Sequence, residues 1–290
     1  FRAETITSKL IDFPDEAGGG SQFDEFKRYE MNEEQHIKLF EHAKKLDLDV
    51  FSTPSYYDDA ELLIKIGVPA FKTGADDLTN LPFLEYLAKQ GLPMIVSTGM
   101  GTMAEVATAV ETIRSTGNDK LVLLHTVSNY PIKELSEVNL NAMVTMRKAL
   151  NVLTGYSDHT TTLSTPTAAA ALGMVVYERH FTLDKNIPAP DCALSADPKE
   201  MKEIVISIRE VEKALGSGRK NPANSEKNMR LYTRKSIIAR SKINKGEKVS
   251  ADKVVIKRPA SGIEPKHLNL VIGREARVDI KEDEAITWDK

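Results

Sequence analysis

The feature that most restricts what this chain can fold into is an alternation that sets in at Asn32 and runs to Gly216. Short apolar runs are separated by amphipathic stretches, most of them opened by a capping residue and closed by glycine. The runs are Val50-Phe51-Ser52, Pro69-Ala70-Phe71-Lys72, Met94-Ile95-Val96-Ser97, Leu121-Val122-Leu123-Leu124, Asn151-Val152-Leu153 and Met174-Val175-Val176. Between them the spacing predicts helices. Asn32, with Gln35 three residues on, opens one whose apolar face is Ile37, Leu39, Phe40, Ala43 and Leu46. Asp58 opens the next, filled by Leu62, Leu63 and Ile66 and stopped at Gly67; Asn80 opens one to Lys89, ended by Gly91. Thr102 with Glu105 opens another through Arg114 to Gly117, and further helices fall near Asn139 to Leu150 and over the Ala-rich stretch Leu163 to Gly173. Asp197 opens the last, with its stripe of Met201, Ile204, Ile208, Val211 and Leu215 before Gly216.

Strands and helices alternating in this way predict an α/β fold with a parallel sheet, and strands apolar at consecutive positions predict cover on both faces. Chemically useful residues follow every run: Thr53, Lys72, Ser97, Tyr130, His159 and His180. In a (β/α)8 barrel they converge on one mouth, whereas a doubly wound sheet gathers ligands at one switch point. The barrel is therefore favoured, although six strands are two short of closure. Residues 1–31 show little periodicity to supply them, and Gly18-Gly19-Gly20-Ser21 marks a mobile loop.

Past Gly216 the composition turns polar, giving a linker over 217–232. A small β-rich module then covers 233–290, with strands predicted at Ser236-Ile237-Ile238-Ala239, Val254-Val255-Ile256-Lys257 and Ala276-Arg277-Val278-Asp279. The barrel unit is accordingly 1–216. A net charge of -3 and a pI near 6.1 exclude a strongly basic nucleic-acid binder. One cysteine, Cys192, leaves no disulfide framework and points to a reducing compartment. No stretch reaches the roughly 20 apolar residues of a membrane span, and no secretory leader opens the chain, so a cytoplasmic protein is expected. Gly99-Met100-Gly101 lacks the third glycine and the downstream acid of a dinucleotide fingerprint.

Thr154-Gly155-Tyr156-Ser157-Asp158-His159-Thr160 follows one apolar run and Tyr177-Glu178-Arg179-His180-Phe181-Thr182 the next. Parallel strands joined by a crossover helix end on the same rim, which predicts His159 and His180 side by side. Two imidazoles there suit a divalent metal, with Asp158 and Glu178 orienting them or touching substrate; alternatively each histidine caps a strand end. Lys72 suits a phosphate as a point charge, a Schiff-base amine, or an ordinary solvated lysine. Hydroxyls at neighbouring strand ends, on Ser52, Thr53, Ser97, Thr98 and Ser157, favour phosphate, which needs many donors; hydroxyls also cap helices. Tyr130-Pro131 reads as an extended or turn dipeptide, and His125 as a core or strand-end histidine. Asp76, Asp77 and Asp191 fall in loops on that rim, around sugar hydroxyls or simply solvated. Lys257-Arg258-Pro259 leading to Gly262-Ile263 is either an anion contact or a basic turn.

From about residue 30 onward these motifs together resemble the sialic acid synthase family. They are Phe51-Ser52-Thr53-Pro54, Lys72-Thr73-Gly74 with Asn80-Leu81-Pro82, Ser97-Thr98-Gly99-Met100, Tyr130-Pro131, the two histidine segments, Pro190-Asp191 and Lys257-Arg258-Pro259 with Gly262-Ile263. The resemblance implies a (β/α)8 barrel, here lacking its first strands, followed by an antifreeze-like (SAF) domain, in a domain-swapped homodimer. It implies condensation of phosphoenolpyruvate with an N-acyl mannosamine-type sugar. On it Thr53, Lys72, Ser97 and Ser157 hold phosphoenolpyruvate with Ser128 nearby, His159 and His180 bind Mn²⁺ or Mg²⁺, and Tyr130, Glu178 and Asp191 face the sugar, beside the loop acid Asp77 read above as a sugar-hydroxyl candidate. Arg258 arrives from the other subunit, and the catalytic roles fall to Lys72, Tyr130 and Glu178. The family's opening Glu-(Ile/Val)-Gly-x-Asn-His segment, which carries its proposed acid/base, and its Lys-Phe-Gln have no counterpart in this sequence. Ala75 and Cys192 stand where serine and histidine are common. Two other readings remain open at this point: a Schiff-base aldolase using Lys72, and a non-catalytic binding or assembly protein built on an open barrel.

Overall fold

The computed structural model describes residues 1–13 and 19–290, so Gly18 of the predicted loop lies outside the described residues. The chain divides into two compact units, Phe1–Gly216 and Ser217–Lys290.

The first unit is built on five parallel strands in sequence order: β1 (Phe71–Thr73), β2 (Met94–Ser97), β3 (Leu121–His125), β4 (Leu153–Asp158) and β5 (Tyr177–Arg179). Ahead of them come α1 (Ala3–Ile6), α2 (Gln22–Tyr29), α3 (Glu33–Lys45) and α4 (Tyr57–Ile66). Between strands lie α5 (Leu81–Lys89), α6 (Met103–Ser115), α7 (Asn141–Leu150) and α8 (Ser164–Ala171), and α9 (Pro198–Leu215) ends the unit. Capping boxes are formed at Asn32/Gln35, Thr102/Glu105 and Asp197/Glu200, each satisfying two otherwise orphaned donors of a first turn. Gly67 ends α4 in the left-handed conformation that a side chain would disfavour.

Register sorts the strand residues between two faces. Phe71, Met94, Val96, Leu121 and Leu123 alternate onto the face covered by helices, packing with Leu63, Phe83, Leu84, Leu87, Val106, Val110 and Ile113 in the main core. Each such buried side chain contributes about 1.5–3 kcal/mol. The opposite face carries Lys72, Ile95, Ser97, Val122, Leu124, Leu153, Gly155, Ser157 and Glu178. That face is concave. In a flat sheet β1 and β5 would stand roughly 19 Å apart at the usual strand spacing, yet Lys72 Nζ on β1 lies 3.5 Å from Glu178 Oε2 on β5. Only a rolled sheet lets the two edges meet in this way, so the strands form a half-barrel.

Several expectations are corrected. The run Val50-Phe51-Ser52 is not a strand: it makes no ladder to β1, and Phe51 is 39% exposed, so neither pairing nor burial holds it extended. The fourth and fifth sheet strands begin later and run further than their apolar runs, so Gly155-Tyr156-Ser157-Asp158 and Glu178-Arg179 lie inside strands rather than after them. Residues 1–31 do contain a helix, α2, capped by Ser21 accepting from the Asp24 amide at 3.2 Å. The apolar faces of α3 and α9 are largely uncovered: Leu39, Leu46 and Leu215 are exposed, while His36 and Ile204 are the buried residues of the two helices.

In the second unit β6 (Ser236–Ala239) pairs antiparallel with β7 (Val254–Lys257) over a core of Ile237, Ile243, Val249, Ile263, Val271, Ile280 and Ile286. The stretch 217–232 is not merely a polar linker, because α10 (Lys227–Thr233) begins within it and runs one residue past its end. A short helix, α11 (Leu268–Val271), follows β7. Ala276-Arg277-Val278-Asp279 is no strand; pairing there is reduced to the isolated bridges Lys248–Glu275 and Ile243–Ile280.

Candidate active site

β4 and β5 end in register, Asp158 opposite Arg179, and each hands the chain directly to a histidine. The rings of His159 and His180 have centroids 5.3 Å apart. His159 is buried, and its Nδ1 meets the Val127 carbonyl at 2.7 Å, which fixes the ring and leaves Nε2 directed elsewhere. Burial holds its pKa below the ordinary imidazole value, against the opposing pull of that hydrogen bond, and favours the neutral, ligating form. His180 Nδ1 lies 3.8 Å from Asp191 Oδ2. Tyr130 packs on both imidazoles, 4.2 Å from His159 and 5.6 Å edge-on to His180. Its phenol is pushed above the usual tyrosine pKa, chiefly by burial and further by Asp191, Glu178 and Asp76, so it stays a neutral donor. Two such imidazoles fit partial coordination of a divalent cation; among the described residues no group of three or more protein ligands completes it.

On the concave face Glu178 joins two other residues. Its Oε1 accepts from Ser157 Oγ at 2.7 Å and its Oε2 faces Lys72 Nζ at 3.5 Å, while Nζ also donates to the Thr73 carbonyl at 3.0 Å. Lys72, Ser97 and Ser157 are buried. Ser128 leans over the end of β2, so closely that a Cβ on Gly99 would lie 2.4 Å from its Oγ and 3.0 Å from the Ala75 Cβ. The loops after β1, β2 and β3 thus converge, and glycine at 99 is what lets them.

Other predicted residues sit elsewhere. Thr53 lines a separate cleft with Asn32, His36, Asp58 and Lys65, and no hydrogen bond among the described residues joins it to Lys72 or Ser97. Asp77 is buried, accepts from Asn80 Nδ2 at 2.9 Å, and has its pKa raised mainly by burial. His125 Nε2 donates to the Val138 carbonyl at 2.7 Å, as a buried structural histidine. Arg258 belongs to the second unit. Tyr130 and Asp191 line a cleft of about 1360 Å³ with Phe1, Phe26, Tyr29 and Pro188; Lys72 and Ser157 do not.

Asp158 does not face the site. One residue from Ser157, it points into the helix-covered side, where its carboxylate accepts from Tyr156 and Tyr177 hydroxyls at 3.1 and 3.0 Å, Thr165 Oγ1 at 3.1 Å and the Thr160 amide at 2.8 Å. Burial, helped by that carboxylate, drives both tyrosines far above their usual pKa. Sequence reasoning placed Asp158 with the histidines; the two-residue period of a strand, applied to the correct boundaries, separates them.

Residues 1–220 match the NeuB family and residues 234–290 match the SAF domain. The chain belongs to the NeuB family. Among the relatives of this NeuB-family chain, an uncharacterized protein of Methanocaldococcus jannaschii is 46% identical over 91% of the chain and 78% of its own length. The N,N'-diacetyllegionaminic acid synthase of Legionella pneumophila is 36% identical, with 100% of this chain and 83% of that one covered. The crystal structure of an N-acetylneuraminic acid synthetase from Leptospira borgpetersenii superposes with a TM-score of 0.68 at 31% identity, covering 71% of this chain and 72% of that one.

Proposed function

We propose that the chain is a condensing synthase that joins phosphoenolpyruvate to an N-acyl mannosamine-type sugar, giving a nonulosonic acid and phosphate. The observation that carries this reading is the meeting of Lys72, Glu178 and Ser157 on the concave face, beside two imidazoles on the adjoining rim. The names of the synthase relatives support the substrate class.

Lys72 holds the donor's phosphate as a point charge, with the Ser97, Ser128 and Ser157 hydroxyls around it. Thr53 lines a cleft of its own in this structure. The C2=C3 π pair of the enol forms the bond from carbon 3 to the aldehyde carbon while the aldehyde oxygen takes a proton; water adds to the cation left at carbon 2, losing its protons to the aldehyde oxygen and the phosphate, and phosphate leaves with its C–O bond broken. Glu178, accepting from Ser157, is the acid–base group on this face. Tyr130 donates to the sugar and Asp191 accepts from it, both from the wall of the cleft. His159 and His180 are the residues to hold Mn²⁺ or Mg²⁺, which when bound polarises an aldehyde oxygen.

A homodimer in which Arg258 serves the partner's site is part of this reading. Residues 217–290 carry 18 Lys+Arg against 10 Asp+Glu, a net +8, leaving -11 on the first 216 residues out of the total of -3. Opposite charges of that size favour association of one copy's second unit with another copy's first unit. The chemistry is tested by phosphate release from phosphoenolpyruvate with Mn²⁺ present. Release that depends on a mannosamine derivative is expected; release without sugar, or none with any such derivative, refutes the reading.

A further inference from the structure

Arg179 is the residue of β5 immediately before His180, and its side chain is buried, 5% exposed. Its guanidinium reaches back across the sheet to the main chain on both sides of His159. Nη1 donates to the Asp158 carbonyl at 3.0 Å and to the Thr160 carbonyl, and Nη2 donates to the Leu194 carbonyl at 2.7 Å. The Asp158 carboxylate stands 3.7 Å from Nη1 and supplies the counter-charge, while among the described residues the buried Nε has no partner. An orphaned donor in the core is destabilising, so this arginine is not there for its packing alone. The same segment is also held by the His159 carbonyl, which accepts from the Ile132 amide at 3.1 Å.

We propose that Arg179 is a positioning residue that sets the separation of the His159 and His180 rings. One planar group, anchored in the strand that leads into His180, spans the two peptides that flank His159. Thermal motion then moves both histidines as one body. A lysine cannot substitute, because a single ammonium on a flexible stem does not present a fixed fork to three carbonyls. The proposal rests on the metal reading only for its effect on cation binding; the ring separation is a property of the protein alone.

The test compares Arg179→Lys with Tyr177→Phe in the full chain. The second variant removes a donor from the Asp158 carboxylate at 3.0 Å but touches neither carbonyl beside His159, so it reports plain loss of stability. Two quantities are read: contact between the ring protons of the two histidines by NMR in the metal-free protein, and Mn²⁺ affinity by electron paramagnetic resonance. Arg179→Lys is expected to lose the ring contact and to weaken Mn²⁺ on the order of tenfold, as loss of a group behind a ligand commonly does. Tyr177→Phe is expected to keep both within twofold despite its own fall in melting temperature. Retention of contact and affinity in Arg179→Lys, or equal losses in both variants, overturns the proposal. Should Arg179→Lys fail to fold, Arg179→Gln is read in the same way. Failure of the unaltered protein to bind Mn²⁺ sinks the metal reading, and the ring contact then decides this one by itself.

Discussion

Gly155→Ala places the smallest possible probe at the seam between β4 and β5. A Cβ there would lie 2.4 Å from the Val176 carbonyl oxygen, 2.6 Å from Leu124 Cδ2 and 2.9 Å from Val176 Cβ. Leu124 can rotate away, but the carbonyl belongs to the neighbouring strand's backbone. To bring the first contact to 3.4 Å, where ordinary van der Waals packing begins, the ladder has to open by the difference, 1.0 Å. That same carbonyl accepts the Tyr156 amide at 2.9 Å, and opening on this scale takes the bond past useful length. Overpacking costs about 1–3 kcal/mol and a lost hydrogen bond about 1. We expect Gly155→Ala to destabilise the first unit by roughly 2–4 kcal/mol, or about 5–15 °C for a unit of this size. Urea titration followed by circular dichroism measures it. Gly→Ala at a tolerant site stabilises by about 0.4–1 kcal/mol through the unfolded chain, so an unchanged or raised midpoint would show that the strands are not this close.

Asp158→Ala strips four donors of their shared acceptor; a loss of about 3–5 kcal/mol is expected in the same titration, and a loss under about 1 refutes the buried network. His125 is buried neutral, its pKa depressed below 6.5 by burial, so the unfolded chain takes up its proton first as pH falls. Stability should therefore drop as pH goes below about 6.5, and His125→Gln should flatten part of that slope; an unchanged slope contradicts the assignment. Lys72→Met should lower phosphate release by roughly 10²–10³-fold, and borohydride with pyruvate should leave Lys72 unlabelled, since labelling would favour the aldolase reading instead.

Helix starts were legible because capping is local: Asn32 with Gln35 and Thr102 with Glu105 need no tertiary information. Strand ends were not, for a physical reason. Ser157, Asp158 and Arg179 are polar yet buried, and only hydrogen bonds from other parts of the chain make that burial affordable. An apolar run therefore marks the approach to these strands, which start at its last residue or just past it, and says nothing of where they stop. Val50-Phe51-Ser52 fails the opposite way, being apolar but without a neighbour to pair with. The adjacency of His159 and His180 follows from chain order in a parallel sheet, whereas the Lys72–Glu178 contact depends on how tightly five strands roll. Arg179 left no signal, because its partners are carbonyl oxygens that every residue possesses.

In β4 the serine that serves the concave face and the carboxylate that ties the core together stand back to back, one peptide apart. Adding or deleting a single residue within that strand would present an acid to the anionic donor and leave a small hydroxyl among two tyrosines and an arginine. Reaction and folding would fail together, so changes in the length of this gene's product are tolerable here only in the flanking loops.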